Sequence, residues 1–142
     1  MKKLSYVLFV LICAALGACT SVPERKAEAV KERVVIQVSD ESSTWGQALN
    51  MARNLHETYG PDGIEVEVVA FGTGIQMLKA DALLASRVRD TMAGGVKIYA
   101  CGNSMARFKL KHDDMVEGLT HVQAGIEHII SRHRQGWFNV KP

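Results

Sequence analysis

The chain has 142 residues, 47% of them hydrophobic and 23% charged, which fits one globular domain and excludes a largely disordered or collagen-like protein. Its 17 basic and 15 acidic residues give a net charge of +2, and Lys2 and Lys3 alone account for that excess. Because a near-neutral chain without a basic run lacks the charge pattern of nucleic-acid-binding proteins, we expect no nucleic-acid partner.

The N-terminal segment resembles the signal of a bacterial lipoprotein. Lys2 and Lys3 precede an apolar run over residues 4–15, which is shorter than the roughly 20 residues of a membrane-spanning helix. The run is followed by LGAC (residues 16–19), which is similar to the lipobox, where the signal is cut before a cysteine that then receives lipid. We therefore expect residues 1–18 to be cleaved and lipidated Cys19 to anchor the chain to a membrane. The alternative is an ordinary secretory signal with an incidental cysteine.

A polar segment, residues 19–32, follows and is typical of a tether between a membrane and a domain. The residue after the cysteine is Thr20, not aspartate, as in lipoproteins that are sorted to the outer membrane. We therefore expect the chain to be anchored there, facing the periplasm. Since Cys13 leaves with the signal and Cys19 carries lipid, Cys101 is the one free thiol expected in the mature chain. An unpaired thiol is uncommon in an oxidising compartment, so Cys101 is the first candidate functional residue.

Strand and helix patterns alternate through the remaining domain, residues 33–142. The expected strands, rich in β-branched residues, cover residues 33–38, 64–71, 96–100, 119–122 and 137–140. The expected helices cover residues 45–59, 75–92 in one or two pieces, 103–111, and about 122–136. The alternation predicts an α/β domain with a mostly parallel sheet and helices on both of its faces.

Ligand sites in such sheets lie beyond the carboxyl ends of the strands, which here carry Asp40, the Gly72–Gly74 turn and Cys101. Cys101 precedes a helix that Asn103 is expected to cap, and unpaired N–H groups at a helix start lower the pKa of a thiol. Gly102 permits a sharp turn and close approach to a ligand. A reactive thiol and a small packed hydrophobic residue are equally compatible with this placement.

Several stretches together resemble the DsrE/DsrF-like family over residues 33–142. They are the opening strand ending in Asp40, ALNMARNL (48–55), AFGTGI (70–75), VKIYACGNSM (96–105) and GWFNVKP (136–142). The resemblance implies a three-layer α/β/α domain with a five-stranded sheet that assembles into trimers or hexamers. Sulfur-handling members of the family carry a persulfide on a cysteine after the third strand, the position of Cys101.

The resemblance therefore implies that Cys101 is a persulfide acceptor, with Gly102, Asn103 and Asp40 in support. The chain departs from those members in two respects. They are cytoplasmic, whereas this chain is expected to be exported and lipidated. It also has no second cysteine to resolve a persulfide, so release of sulfur requires an external thiol.

Other motifs are expected to be structural. Gly72-Thr73-Gly74 lacks the lysine of a phosphate-binding loop and is interpreted as a tight turn. Three adjacent loop residues, 112–114, rarely converge on one ion, and His121, His128 and His133 do not share one helix face, so we expect neither a metal nor a cofactor. For Asp40, capping of the following helix is favoured over a role as ligand or base.

Two functions remain open from the sequence. The first is a persulfide carrier or sulfurtransferase-like protein of the cell envelope, which exchanges sulfur with small sulfur species or a thiol-bearing partner protein. The second is a non-catalytic oligomeric lipoprotein that binds a small ligand or a protein, with Cys101 only packed. The first requires a reactive thiol with a lowered pKa, whereas the second predicts an inert one.

Overall fold

The structure is a computed structural model that describes residues 31–40 and 42–142. The predicted signal peptide (residues 1–18), the predicted lipidation site Cys19 and the tether up to residue 30 lie outside the described residues. No helix within the described part of the chain is long and apolar enough to cross a membrane.

Five strands form one sheet in the order β4-β3-β2-β1-β5, and every pair of neighbouring strands is parallel. The strands are β1 (Glu32–Val38), β2 (Ile64–Ala70), β3 (Lys97–Cys101), β4 (Thr120–Val122) and β5 (Phe138–Val140). The predicted α/β class, with a mostly parallel five-stranded sheet, is confirmed. All five carboxyl ends lie at one edge of the sheet, because the strands run the same way.

Four α-helices connect the strands in the described residues, together with two short 3-10 helices. The α-helices are α1 (Trp45–Gly63), α2 (Ala85–Ala93), α3 (Gly102–Arg107) and α4 (Gly125–Arg134), and the 3-10 helices are Gly72–Leu78 and His112–Asp114. Gly60 interrupts α1 with a φ of +73°, directly before Pro61. The regular part of α1 therefore ends at the predicted place, because glycine tolerates a positive φ and proline cannot continue a helix.

The predicted helix over residues 75–92 is wrong in its first half. A 3-10 helix ends at Leu78, and the α-helix begins only at Ala85. Val116 N–H donates to the Leu78 carbonyl at 2.8 Å, and Ala80 N–H donates to the Asp114 carbonyl at 2.9 Å. Because a distant loop occupies these backbone groups, they are not available to continue a helix.

The two faces of the sheet bury different side chains. Helices α1, α2 and α3 cover one face, which we call the apolar face, with the buried sheet residues Val34, Ile36, Val38, Ile64, Val66, Val68, Ala70, Ile98 and Ala100. Helix α4 covers the opposite face, which we call the α4 face, with the buried sheet residues Val35, Glu67, Val69, Tyr99 and Cys101. The candidate thiol lies on the α4 face.

Candidate functional site

The sulfur of Cys101 lies where two helices begin. Cys101 is the last residue of β3 and the N-cap residue of α3, and only 4% of it is exposed. The N–H of Gly125, the first residue of α4, donates to its Sγ at 3.2 Å, and the Gln123 carbonyl lies 4.0 Å from Sγ. Backbone N–H groups from the starts of two helices therefore lie beside one thiol.

Ser104 adds a side-chain donor to this site. Its Oγ accepts the N–H of Gly72 at 2.8 Å, so the hydroxyl proton stays available to the thiolate of Cys101. Gly72 has a φ of +55°, and a Cβ there would stand 3.0 Å from the Ser39 carbonyl oxygen. Only glycine presents this N–H to Ser104 without strain.

These donors determine the charge state of the thiol. Burial raises the pKa of Cys101, but the Ser104 hydroxyl and the backbone N–H groups of Gly125, Ser104 and Asn103 lower it by more. The net pKa lies below the ordinary value of a cysteine. The environment therefore increases the fraction of thiolate, the form that attacks sulfur electrophiles, relative to an ordinary cysteine.

Gly125 is a site residue that the sequence analysis missed. A Cβ there would lie 3.1 Å from Phe71 Cβ, 3.2 Å from Val69 Cγ1 and 3.3 Å from Cys101 Cβ. The absence of a side chain lets the start of α4 approach the sulfur closely. The sequence carries no local signal for this role, because the atoms that crowd Gly125 come from β2, from Phe71 directly after it and from β3.

Asn103 and Gly102 lie beside the sulfur, but Asn103 does not cap α3. The helix begins one residue earlier, at Gly102, with Cys101 as its N-cap. The Asn103 Oδ1 instead accepts Gln123 Nε2 at 2.8 Å, and the Asn103 N–H donates to the Gln123 carbonyl at 3.1 Å. These two bonds tie the start of α3 to the loop before α4.

Asp40 lies away from the thiol, and the prediction that it caps the following helix is wrong. Helix α1 begins at Trp45 with Thr44 as its N-cap residue, because a turn separates the helix from Asp40. The Asp40 carboxylate pairs with Lys141 Nζ at 2.7 Å, and this bond lowers the pKa of the carboxyl group. Asp40 follows β1, two strand positions or roughly 10 Å across the sheet from the end of β3.

A second missed feature is the fully buried Glu67 on β2. Its carboxylate receives Arg132 Nε at 2.8 Å, Arg132 Nη2 at 2.7 Å and the Tyr99 hydroxyl at 3.1 Å, and His128 Nε2 lies at 2.8 Å. The hydrogen bond to Glu67 raises the pKa of Arg132. The pKa of Tyr99 is raised mainly by its burial and secondly by the charge of Glu67. Both partners therefore stay protonated and act as donors. We call Glu67, Tyr99, His128 and Arg132 the Glu67 cluster.

The Glu67 cluster connects the sheet to the helix that touches the sulfur. His128 and Arg132 are four residues apart on α4, so both point from the same side of the helix to one carboxylate. Gly125 lies on the same helix, within one turn of His128. The cluster therefore holds α4 at the distance that lets the Gly125 N–H reach Sγ.

An open groove of about 370 Å³ adjoins the site and is lined in part by Gly102, Val122 and Gln123. Across the described residues, no cluster of three or more histidine, cysteine, aspartate or glutamate side chains is arranged to hold a metal ion. Gly72-Thr73-Gly74 forms the first turn of a 3-10 helix, where Thr73 Oγ1 donates to the Ser39 carbonyl at 3.0 Å.

Comparison with known proteins supports the resemblance. The sequence model of the DsrE/DsrF-like family matches residues 32–136. A comparison with proteins of curated function finds no match.

Three solved structures resemble the fold. The protein of unknown function MTH1491 from Methanobacterium thermoautotrophicum has a TM-score of 0.74 at 29% identity, over 79% of this chain and 100% of that chain. The conserved protein of unknown function BT1422 from Bacteroides thetaiotaomicron has a TM-score of 0.66 at 14% identity, over 82% of this chain and 99% of that chain. The ychN protein from E. coli has a TM-score of 0.58 at 10% identity, over 79% of this chain and 99% of that chain. At such low identity, the last two likenesses indicate the fold alone.

Proposed function

The chain belongs to the DsrE/DsrF-like family, and from this premise we propose that it carries sulfur as a persulfide on Cys101 in the cell envelope. The observation that carries the proposal is the contact of Cys101 Sγ with the start of α4, next to the donors of α3. Donors of this kind stabilise negative charge on sulfur. Sulfur-handling relatives use a cysteine at this position, and this chain keeps it.

The proposed transfer needs no oxidant. The Cys101 thiolate attacks the outer sulfur of a persulfide or polysulfide, and a new S–S bond forms. The donor leaves with the electron pair of the broken S–S bond, as a thiolate from a persulfide or as an anion one sulfur shorter from a polysulfide. In the reverse sense, an external thiolate takes the outer sulfur, and Cys101 leaves as a thiolate that the same donors stabilise. A lowered pKa therefore assists both the loading and the release of sulfur.

The burial of Cys101 favours a second candidate function. A residue that is 4% exposed is placed like a packed hydrophobic residue, and a non-catalytic binding module would use it only in that way. The two candidates differ in one measurable property. A carrier thiol reacts in the folded protein, whereas a packing thiol reacts only after unfolding.

Alkylation of the full chain, purified in mild detergent, tests the proposal. We expect iodoacetamide to modify Cys101 in the folded protein, with a rate that rises with pH to a midpoint below that of a free cysteine. After polysulfide treatment, the peptide that contains Cys101 gains the mass of one sulfur atom, and the Cys101→Ser variant does not. If Cys101 resists both reagents until the protein is denatured, the binding-module function replaces the carrier.

The envelope location and the assembly are part of the same proposal. The lipobox-like ending before Cys19 supports lipid anchoring, and labelled palmitate is expected in the wild type but not in Cys19→Ala. Equal labelling of the two chains would contradict the anchor. Family resemblance supports a trimer or hexamer, which light scattering of the detergent-purified chain measures; a monomer at micromolar concentration would contradict the assembly.

A further inference from the structure

Two histidines from different elements meet at the groove beside α3. His112 Nδ1 lies 3.1 Å from His121 Nε2, and the ring centroids are 4.2 Å apart at an interplanar angle of 66°. Both side chains line the groove and are exposed to solvent. We call these residues the histidine pair.

The backbone under each member of the histidine pair is held by hydrogen bonds. His121 belongs to β4 and is paired with Ala100 of β3 in the parallel sheet. His112 begins the second 3-10 helix, where the Lys111 N–H donates to Asp114 Oδ2 at 2.7 Å and the Met115 N–H donates to the His112 carbonyl at 3.0 Å. The fold therefore brings the two rings together, and a ligand that binds both has little backbone ordering to impose.

We propose that the histidine pair binds a divalent first-row transition metal of the kind that imidazole prefers, such as Zn²⁺ or Ni²⁺. With metal–nitrogen bonds of about 2.05 Å, a nitrogen separation of 3.1 Å corresponds to an angle of about 98° at the metal. This angle lies between those of square-planar and tetrahedral coordination. Because both rings are exposed, small rotations of the two side chains can bring the angle at the metal to either value.

The proposed site has two protein ligands and open positions. No third histidine, cysteine, aspartate or glutamate completes a cluster in the described residues, so water or a bound ligand fills the other positions. Cys101 is not among the residues that line the groove, and its Sγ faces Gly125 on the α4 face. The metal site therefore stands independently of the proposed sulfur chemistry.

Calorimetric titration of the full chain with Zn²⁺ tests the proposal. The chain is purified in detergent without a histidine tag and is treated with a chelator beforehand. We expect one ion per chain, and a loss of affinity of more than about tenfold in His112→Ala and in His121→Ala, since even changes outside the ligand shell weaken metal sites by that factor. His133→Ala, an exposed histidine on α4, and Cys101→Ser keep the affinity of the wild type.

Long-range nitrogen–proton spectra of the imidazoles give a second measurement, which needs no variant. Zn²⁺ is expected to shift Nδ1 of His112 and Nε2 of His121 together, and no other ring nitrogen to the same extent. The proposal is overturned if the wild type binds no Zn²⁺, if both single variants bind as the wild type does, or if Cys101→Ser abolishes binding. In the first case, the contact is a hydrogen bond between the two rings.

Discussion

The two faces of the sheet are built by different physical means. The apolar face is closed by three α-helices over aliphatic side chains, so burial of hydrocarbon surface holds it together. The α4 face is closed by one helix, and its centre holds the fully buried Glu67 with charged and polar partners from α4 and β3. The thiol of Cys101 lies on this second face, under the start of α4.

This difference shows how stability and chemistry are divided in the domain. Hydrocarbon contacts are not directional and tolerate small displacements, whereas a paired carboxylate fixes the angle and the height of the helix that bears its partners. A hydrogen bond from Gly125 to a sulfur needs a helix placed within a few tenths of an ångström. The Glu67 cluster provides that placement at the face that contains the thiol.

The largest effect is expected for Glu67→Gln, which removes the central charge of the α4 face. Removing the charge leaves Arg132 without its buried partner, which we expect to cost about 3–5 kcal/mol in the free energy of unfolding. We also expect the pH profile of Cys101 alkylation to move to higher pH, because α4 is no longer held against the sulfur. Urea unfolding and alkylation rates check the two effects.

Glu65→Gln is the matched control for this change. Glu65 lies on the same strand and pairs with Lys97 Nζ at 2.7 Å, but both side chains are partly exposed. We expect a change of at most about 1 kcal/mol and an unaltered alkylation profile. If Glu67→Gln leaves the alkylation profile as unaltered as its control does, packing alone positions α4.

Ile98→Ala tests the apolar face on the strand that ends in Cys101. Ile98 is buried in the cluster of the apolar face, and truncation to alanine should destabilise the protein by about 2–5 kcal/mol through lost contacts and a cavity. Ile98→Val, the smaller truncation, should cost about 0.5–1.5 kcal/mol. Neither change should move the alkylation profile of the folded protein, and a shift in both would show that the faces are coupled.

Ser104→Ala removes one donor to the thiolate and leaves the Gly72 N–H without its acceptor. The orphaned N–H should cost about 1–3 kcal/mol in stability. The loss of the hydroxyl raises the pKa of Cys101, so less thiolate is present near neutral pH and the alkylation rate falls below that of the wild type. Ser131→Ala, at an exposed position on α4, should change neither quantity, and equal rates in the two variants would remove Ser104 from the site.

Asp40→Asn is expected to have the smallest effect. Its carboxylate is bound to Lys141 at the end of β1, with β2 between it and the thiol. The alkylation rate of Cys101 should stay within about twofold of the wild type, because an exposed charge at this separation is screened by solvent and salt. A larger decrease would restore Asp40 as a supporting residue.

The order of strands and helices was predictable from the sequence, because β-branched runs, helical spacing and turn residues are local signals. The position of Cys101 between a strand and a helix was predictable for the same reason. The break in the helix expected over residues 75–92 was not predictable, because a distant loop forms hydrogen bonds with the backbone groups of Leu78 and Ala80. Local preference yields where tertiary hydrogen bonds compete for the same atoms.

The sequence by itself determined the α/β class, the resemblance to the family and the thiol that heads a helix. Only the tertiary structure decided which groups surround that thiol. Glu65 and Glu67 are the same residue type, two positions apart on one strand, yet Glu65 is partly exposed and Glu67 is fully buried. His112 and His121 are nine positions apart, and their rings meet because the second 3-10 helix is placed beside β4. Such neighbours depend on how helices and loops pack over the sheet, which no local pattern in the chain records.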